Sequence, residues 1–195
     1  KRVEGVTIAR VENGKPVPGT EITYKCDTLL LSTGLIPENE LSLSAGIALS
    51  DITKGPKVDE TFETNVPGIF ACGNVLHVHD LVDYVSEEAA QAGRAAARYA
   101  RQGGKSGGET IPVVPTGGVR YTVPVAVNRD SADPEVTIRM RVDNVYQNKY
   151  LCLYVDEVRL IRKKRMIMAP GEMETLKIEL SKLAGAKQIT LKLED

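Results

Sequence analysis

The pattern of hydrophobic and polar positions changes at a glycine-rich stretch, residues 102–108. Before this stretch the pattern predicts strands mixed with one long helix, and after it the pattern predicts strands alone. We therefore expect a partial α/β domain over residues 1–101 and a glycine-rich linker over residues 102–110. A small all-β antiparallel sandwich is expected over residues 111–195.

The first segment contains both alternating and continuous apolar runs. Alternation predicts strands at residues 6–11 and 21–24, with Asn13–Gly14 as a turn pair because both residues tolerate positive φ. Continuous apolar runs at residues 28–32 and 68–72 are typical of strands buried on both faces of a parallel sheet. These two runs are the expected centre of the α/β domain.

A long helix is expected from Leu81 to about Arg101. Asp80 or Ser86 is a suitable N-terminal cap, and Gly103 is a suitable stop. Small side chains recur along the helix and would let it approach a sheet closely: Ala89, Ala90, Gly93, Ala96 and Ala97.

The second segment is a series of short runs with period-two alternation, separated by turn residues. The predicted strands are residues 119–127, 136–142, 150–155, 158–168, 175–180 and 188–193.

Composition adds few constraints. The net charge is −1, and the two segments carry about −4 and +3, which predicts neither a nucleic-acid partner nor an anionic membrane surface. No apolar run approaches the roughly 20 residues that span a bilayer. Three cysteines without a C-x-x-C pair and without a signal peptide favour a reducing, cytoplasmic compartment, with each cysteine buried in the core.

Two places in the first segment join an apolar run to a glycine. Thr33–Gly34 follows the first run, and Gly73–Asn74 follows the second. Ligands of open α/β sheets bind at the carboxyl ends of strands, where glycine allows the backbone to approach a cofactor closely. We predict that the two dipeptides share one crevice with the N-terminal end of the long helix, which carries a partial positive charge.

The combination of motifs resembles the FAD-dependent pyridine-nucleotide-disulfide oxidoreductases. Residues 26–37 resemble the return from the NAD(P) domain to the FAD domain, with Ser32-Thr33-Gly34 in place of the Ala-Thr-Gly signature. Residues 66–74 resemble the late FAD motif, a hydrophobic strand followed by Gly-Asp. The resemblance covers roughly residues 1–101 and implies a partial FAD/NAD(P)-binding, Rossmann-like domain.

This resemblance implies the roles of individual residues. Asn74 stands where the family has an aspartate that binds a ribityl hydroxyl of FAD; its amide oxygen can accept that hydrogen bond but carries no charge. Backbone N–H groups of Val82, Asp83 or Tyr84 would face the flavin pyrimidine edge and stabilise negative charge there. The cofactor-binding residues expected are therefore Thr33, Gly34, Gly73, Asn74, Val82 and Asp83.

His77 and His79 are the only histidines, and they would share a face of an extended segment. A metal pair or a proton shuttle is conceivable, but a metal site needs three or four ligands and the sequence identifies no third. We expect the two side chains to line a loop beside the flavin, and we assign no metal ligand.

The sequence lacks a G-x-G-x-x-G loop between a strand and a helix, which the family needs for both FAD and NAD(P). We therefore interpret the chain as a C-terminal fragment that has no catalytic residue of its own, binds FAD weakly or not at all, and does not turn over alone. In the parent enzyme, hydride and electrons would move between nicotinamide, flavin and an acceptor for a small-molecule redox substrate.

A non-catalytic function is the alternative. In it, residues 111–195 dock a partner subunit or a second copy of the chain, and the first segment is scaffold. The basic run at residues 159–165 has few aromatic neighbours that could stack on bases. It is better interpreted as an edge strand that uses charge against aggregation.

Overall fold

A computed structural model describes residues 2–32, 34–104 and 108–195. The chain divides into two compact units, Lys1–Gly34 and Leu35–Asp195. Across the described residues, strands outnumber helices and form several separate sheets.

The first unit consists of two small antiparallel pairs. Strand β1 (Val6–Ile8) pairs with β4 (Ile22–Tyr24), and β2 (Val11–Glu12) pairs with β3 (Lys15–Pro16). Asn13 and Gly14 connect β2 to β3 with φ angles of 51° and 75°. The predicted Asn-Gly turn is therefore confirmed, because this tight connection requires positive φ at both residues.

The predicted buried strand at residues 28–32 is wrong. The residues described there form no strand, and Leu30 and Leu31 are 89% and 75% exposed. A strand of a parallel sheet needs neighbours that satisfy its backbone hydrogen bonds, and an apolar run cannot provide those neighbours itself. Gly34 follows with a φ of 92°.

The second unit begins with a short helix, α1 (Glu40–Ser44), and a series of turns. The predicted strand at residues 68–72 is reduced to one isolated bridge between Glu63 and Phe70. A single 3-10 turn, Gly73–Val75, follows it. Helix α2 (Val82–Arg101) then spans 20 residues, close to the predicted range.

Helix α2 packs through a different face than the alanine pattern indicates. Its buried residues are Glu88, Ala92 and Ala95, whereas Ala89 and Gly93 of the predicted stripe are exposed. Leu81 precedes the helix and no side chain caps it, so the expected caps at Asp80 and Ser86 are wrong.

Within residues 108–195, the described part of the chain after α2, there are eight strands: β5 (Thr110–Pro115), β6 (Val119–Val123), β7 (Ala126–Asn128), β8 (Glu135–Val142), β9 (Tyr146–Val155), β10 (Val158–Met168), β11 (Glu174–Glu179) and β12 (Ile189–Glu194). They form a five-stranded sheet in the order β10-β9-β12-β5-β7 and a three-stranded sheet in the order β11-β8-β6. All pairs are antiparallel except β12 with β5. Strand β5 was not predicted, because Pro112 and Pro115 lie within it and proline is usually confined to edges and bulges of sheets.

Both sheets contribute side chains to one hydrophobic core. Ile111, Leu153 and Leu191 come from the larger sheet, and Ile138 and Leu176 come from the smaller one. In β5 and β11 the buried residues alternate with exposed or half-buried ones, as period-two packing requires, whereas in β8 the residues Ile138–Met140 are all buried.

A second core joins residues from both sides of the predicted linker. Phe62, Leu76 and Ala92 pack with Tyr121 and Val123 of β6. The Val125 backbone N–H also donates to the carbonyl of Val58, at 3.0 Å. Residues 105–107 of the linker lie outside the described residues, and the three-part division of the chain stays a prediction.

Candidate functional site

The candidate site is built around Gly73, where the chain turns sharply before α2. Gly73 is buried with a φ of 71°, a conformation that strains any side chain with a Cβ. A Cβ added there would lie 3.4 Å from Cγ1 of Val85 in the second turn of the helix. The fold therefore brings the backbone of the glycine motif directly against the first turns of α2.

Asn74 follows Gly73 and is exposed. Its Oδ1 accepts a hydrogen bond from the backbone N–H of His79, at 3.1 Å. The side chain predicted to bind a cofactor hydroxyl thus also closes the loop between the 3-10 turn and α2.

Val82 and Asp83 form the start of α2 and are both exposed. The first N–H groups of a helix have no partner within the helix, and no side chain among the described residues supplies one here. Leu81 is 52% exposed and Val82 is 75% exposed, so apolar surface surrounds this helix end. The negative charge of Asp83 in the first turn opposes the binding of an anion.

Thr33 lies outside the described residues, and Gly34 ends the first compact unit. Gly73, Asn74, Val82 and Asp83 belong to the second unit, where they occupy one loop and the helix that follows it. The meeting of Thr33–Gly34 with Gly73–Asn74 in a shared crevice remains a prediction.

A buried cluster of His77, His79 and Glu88 lies behind this loop. Glu88 is completely buried on α2, and the two histidine side chains are 1% exposed. Nε2 of His77 lies 2.7 Å from Oε1 of Glu88, and Nε2 of His79 lies 3.0 Å from Oε2. The Gly73 backbone N–H also donates to Oε2, at 3.1 Å, so Glu88 connects the glycine motif to the helix.

The electrostatics of the cluster keep Glu88 ionised. Burial raises the pKa of Glu88, but hydrogen bonds from His77 and His79 and their charges outweigh burial and lower it to about 2. An ionised carboxylate only accepts hydrogen bonds, so the facing Nε2 atoms carry protons. Burial lowers the pKa of His77, in opposition to its hydrogen bond with Glu88.

Two arginines of strand β8 contact this region. Nε of Arg139 lies 3.4 Å from Oε1 of Glu88, and the Arg139 side chain is 2% exposed. Arg141 donates from Nη2 to the carbonyl of Val78 at 2.9 Å and forms an ion pair with Asp80 at 3.3 Å. Asp80 also accepts the backbone N–H of Met173. The C-terminal strands thus fix the loop that leads into α2.

Sequence reasoning missed Glu88 and these arginines. Glu87 and Glu88 are chemically identical neighbours, yet only Glu88 is buried. Arg139 and Arg141 are more than 50 positions away from the loop in sequence and occur in an ordinary alternating strand. No local pattern distinguishes these residues from solvent-exposed charges.

The cysteines are less uniformly buried than expected. Cys152 is buried, but Cys26 and Cys72 are half-buried. Burial raises the pKa of the Cys152 thiol to about 11, with help from its hydrogen bond to Glu194. Burial and the negative charge of Glu88 raise the pKa of Cys72. Neither of these two thiols is an activated nucleophile, because the thiolate is the reactive form.

The basic run occupies β10, which lies at the edge of the five-stranded sheet. Arg159 pairs with Glu194, and Arg165 pairs with Glu174. The guanidinium of Arg162 stacks 3.4 Å from the ring centroid of Tyr150. The predicted edge position of this run is confirmed.

Comparisons with known proteins agree on the first segment. Residues 2–97 match the family described as pyridine nucleotide-disulphide oxidoreductase. A dihydrolipoyl dehydrogenase from Manduca sexta is 40% identical over 78 residues, which cover 39% of this chain and 14% of that relative. The aligned region is thus a small part of that relative. No solved structure matches, and no helix among the described residues is long and apolar enough to cross a membrane.

Proposed function

The chain belongs, over residues 2–97, to the pyridine nucleotide-disulphide oxidoreductase family, and on that premise we propose that it contributes part of the flavin site of an FAD-dependent, NAD(P)-linked oxidoreductase. The observation that carries this proposal is Gly73. It is buried at positive φ against the first turns of α2, at the position of the family's late FAD motif.

The residues around Gly73 fit a flavin. The backbone at Gly73 allows close approach, and the exposed amide of Asn74 has two donors besides the oxygen that binds the His79 N–H. Uncapped N–H groups of Val82 and Asp83 would face the flavin pyrimidine edge, where the helix dipole favours negative charge. The contribution of Thr33 and Gly34 stays a prediction from the sequence.

Bound FAD would supply hydride and electron transfer between NAD(P)H and a small-molecule or protein acceptor. This chain's own residues would bind and orient the flavin, and the exposed apolar side chains of Leu81 and Val82 would exclude water from it. The sequence has no G-x-G-x-x-G loop for a pyrophosphate. We therefore propose that turnover depends on residues outside this sequence.

Titration of the purified chain with FAD, followed by flavin fluorescence, tests the flavin site. We expect weak, saturable binding that Gly73→Val removes, because a β-branched residue at this positive φ displaces the backbone. Gly185→Val is the matched control: its φ is 74°, and its added Cβ meets nothing within 4 Å.

Equal FAD binding by the two glycine variants would contradict the flavin assignment, and no binding by the unmodified chain at millimolar FAD would contradict the expectation of weak binding. Tight stoichiometric binding, or oxidation of NADH by the chain with added FAD, would contradict the proposal that residues elsewhere are needed.

A second candidate function, that of an interaction module, is supported by β10. This 11-residue strand is an edge of its sheet and exposes Met166 and Ile167 beside Lys163 and Lys164. We propose that residues 111–195 form a β-sandwich that docks an acidic partner subunit along this edge. Charge reversal by Lys163→Glu with Lys164→Glu should abolish such docking in a pull-down with the whole chain and leave FAD binding unchanged.

A further inference from the structure

We propose that His77, His79 and Glu88 form a binding site for one divalent transition-metal ion, with zinc as the expected occupant. The three ligand atoms lie within 4.8 Å of one another. The two imidazole nitrogens and the carboxylate oxygen form a donor set that zinc accepts. This site does not depend on the proposed flavin function.

Burial distinguishes this cluster from ordinary surface acids and histidines. Glu88 is 0% exposed and both histidine side chains are 1% exposed. Glu88 already accepts hydrogen bonds from both imidazoles, and a metal ion would take the place of the two Nε2 protons that lie between these ligands. Zinc ligands at about 2.0–2.1 Å from the ion lie about 3.4 Å apart in a tetrahedron, so the 2.7 and 3.0 Å contacts between the two imidazole nitrogens and the Glu88 carboxylate would lengthen by roughly 0.4–0.7 Å.

The groups behind the ligands resemble those that orient metal ligands in other proteins. Nδ1 of His77 lies 3.4 Å from the hydroxyl of Tyr121, which can accept a hydrogen bond from the Nδ1–H group once Nε2 coordinates the metal. The Gly73 N–H holds one oxygen of Glu88. Nδ1 of His79 is buried, and none of the described residues hydrogen-bonds to it.

Arg139 opposes a cation and provides the sharpest test. Its guanidinium lies 3.4 Å from Oε1 of Glu88, so the cluster has a counter-charge without any metal. If the cluster binds zinc, removal of this repelling charge should tighten binding by roughly tenfold or more. Met replaces Arg139 with a side chain of similar length, which limits the disturbance of the core.

Zinc is titrated into the chelator-treated, untagged chain in competition with a chromogenic chelator, and cobalt serves as a spectroscopic probe. We expect one ion per chain, with no thiolate charge-transfer band in the cobalt spectrum, because the ligands are nitrogen and oxygen. Removal of a group that only hydrogen-bonds to a metal ligand changes metal affinity by about 10–100-fold. Removal of a ligand itself should have a larger effect, so His79→Gln and Glu88→Gln should each weaken zinc binding by at least about 100-fold.

Glu87→Gln is the matched control, because Glu87 is the exposed neighbour of Glu88 and should leave zinc affinity unchanged. Circular dichroism reports whether each variant folds. If the ligand variants fail to fold, X-ray absorption of the zinc-loaded unmodified chain identifies the ligands directly, and two imidazoles are expected.

The proposal is overturned if the chain binds no zinc at micromolar concentrations, if the bound ion has sulfur ligands, or if Arg139→Met weakens binding. The cluster would then be a hydrogen-bonded network that Arg139 neutralises. None of these outcomes depends on whether FAD binds.

Discussion

Single residues around the loop at 73–80 have functions that their chemistry alone does not reveal. Glu88 accepts hydrogen bonds from the glycine motif and from both histidines, whereas Glu87 faces solvent. The difference arises because α2 turns only every third or fourth residue toward the core. The same helix therefore holds one carboxylate at 0% exposure and keeps its neighbour in water.

Gly55 should be among the residues least tolerant of substitution. A Cβ added there would overlap the carbonyl oxygen of Leu76, which lies in the loop between Gly73 and His77. Gly55→Ala is expected to destabilise the fold by at least about 1–3 kcal/mol, the usual cost of overpacking. The free energy of unfolding in urea measures this.

Gly93→Ala is the contrasting glycine substitution in α2. Gly93 lies in the helix interior with nothing within 4 Å of an added Cβ. Alanine is a better helix former, so the unfolding free energy should rise by roughly 0.5–1 kcal/mol. Equal effects at Gly55 and Gly93 would contradict the close approach of Leu76 to Gly55.

At the scale of elements, strand β8 fixes the loop that precedes α2. The guanidinium of Arg141 donates hydrogen bonds from two different nitrogens to the carbonyls of Val78 and Pro170. The single ammonium group of a lysine cannot reproduce this geometry. We expect Arg141→Lys to destabilise the loop by about 1–3 kcal/mol. Faster amide exchange at residues 78–81 would report this change.

The control for this loop is Arg120→Lys on the neighbouring strand β6, because Arg120 is exposed. Protection of residues 78–81 should be the same in Arg120→Lys as in the unmodified chain. If Arg141→Lys leaves that protection intact, the contact with Val78 does not hold the loop.

Helix α2 also pairs with the loop after β7 through a bidentate ion pair. Arg98 donates from Nη1 and Nη2 to the two oxygens of Asp133, at 2.7 and 2.6 Å. These hydrogen bonds lower the pKa of Asp133 below its ordinary value of 3.8. A carboxyl group whose pKa is lower in the folded state stabilises the fold at pH values above its unfolded-state pKa. This stabilisation is lost as the pH falls through the folded-state pKa.

Asp133→Asn should therefore destabilise the chain by no more than about 1 kcal/mol at neutral pH, because the pair is partly exposed. The difference in the free energy of unfolding between Asp133→Asn and the unmodified chain should shrink as the pH falls below about 4. Thermal unfolding at several pH values measures it, and a difference that persists at pH 2–3 would mean that the ion pair is not its cause.

At the scale of the whole molecule, both hydrophobic cores lie within Leu35–Asp195. We expect a chain that begins at residue 35 to fold cooperatively, with an unfolding free energy close to that of the full chain. Loss of the cooperative transition in that shorter chain would show that residues 1–34 are required for folding of the second unit.

Local chemistry sufficed for part of this protein. Asn13–Gly14 strongly favours a tight turn, and residues 82–101 have helical periodicity without a proline, so both were predictable. The family motif around Gly73 was also recognisable. The backbone before the helix has a positive φ, which favours glycine at that position, and a glycine is visible in the sequence.

Other features depended on contacts between distant parts of the chain. The run at residues 28–32 has the composition of a buried strand but is exposed, because burial needs neighbours that an apolar run does not specify. The cluster of His77, His79 and Glu88, and its contact with Arg139, arises only when α2 packs against β8. Sequence alone determined the turn, the long helix and the match to the family over residues 2–97. Tertiary structure decided which charges are buried together, because burial is a property of packing and not of any single residue.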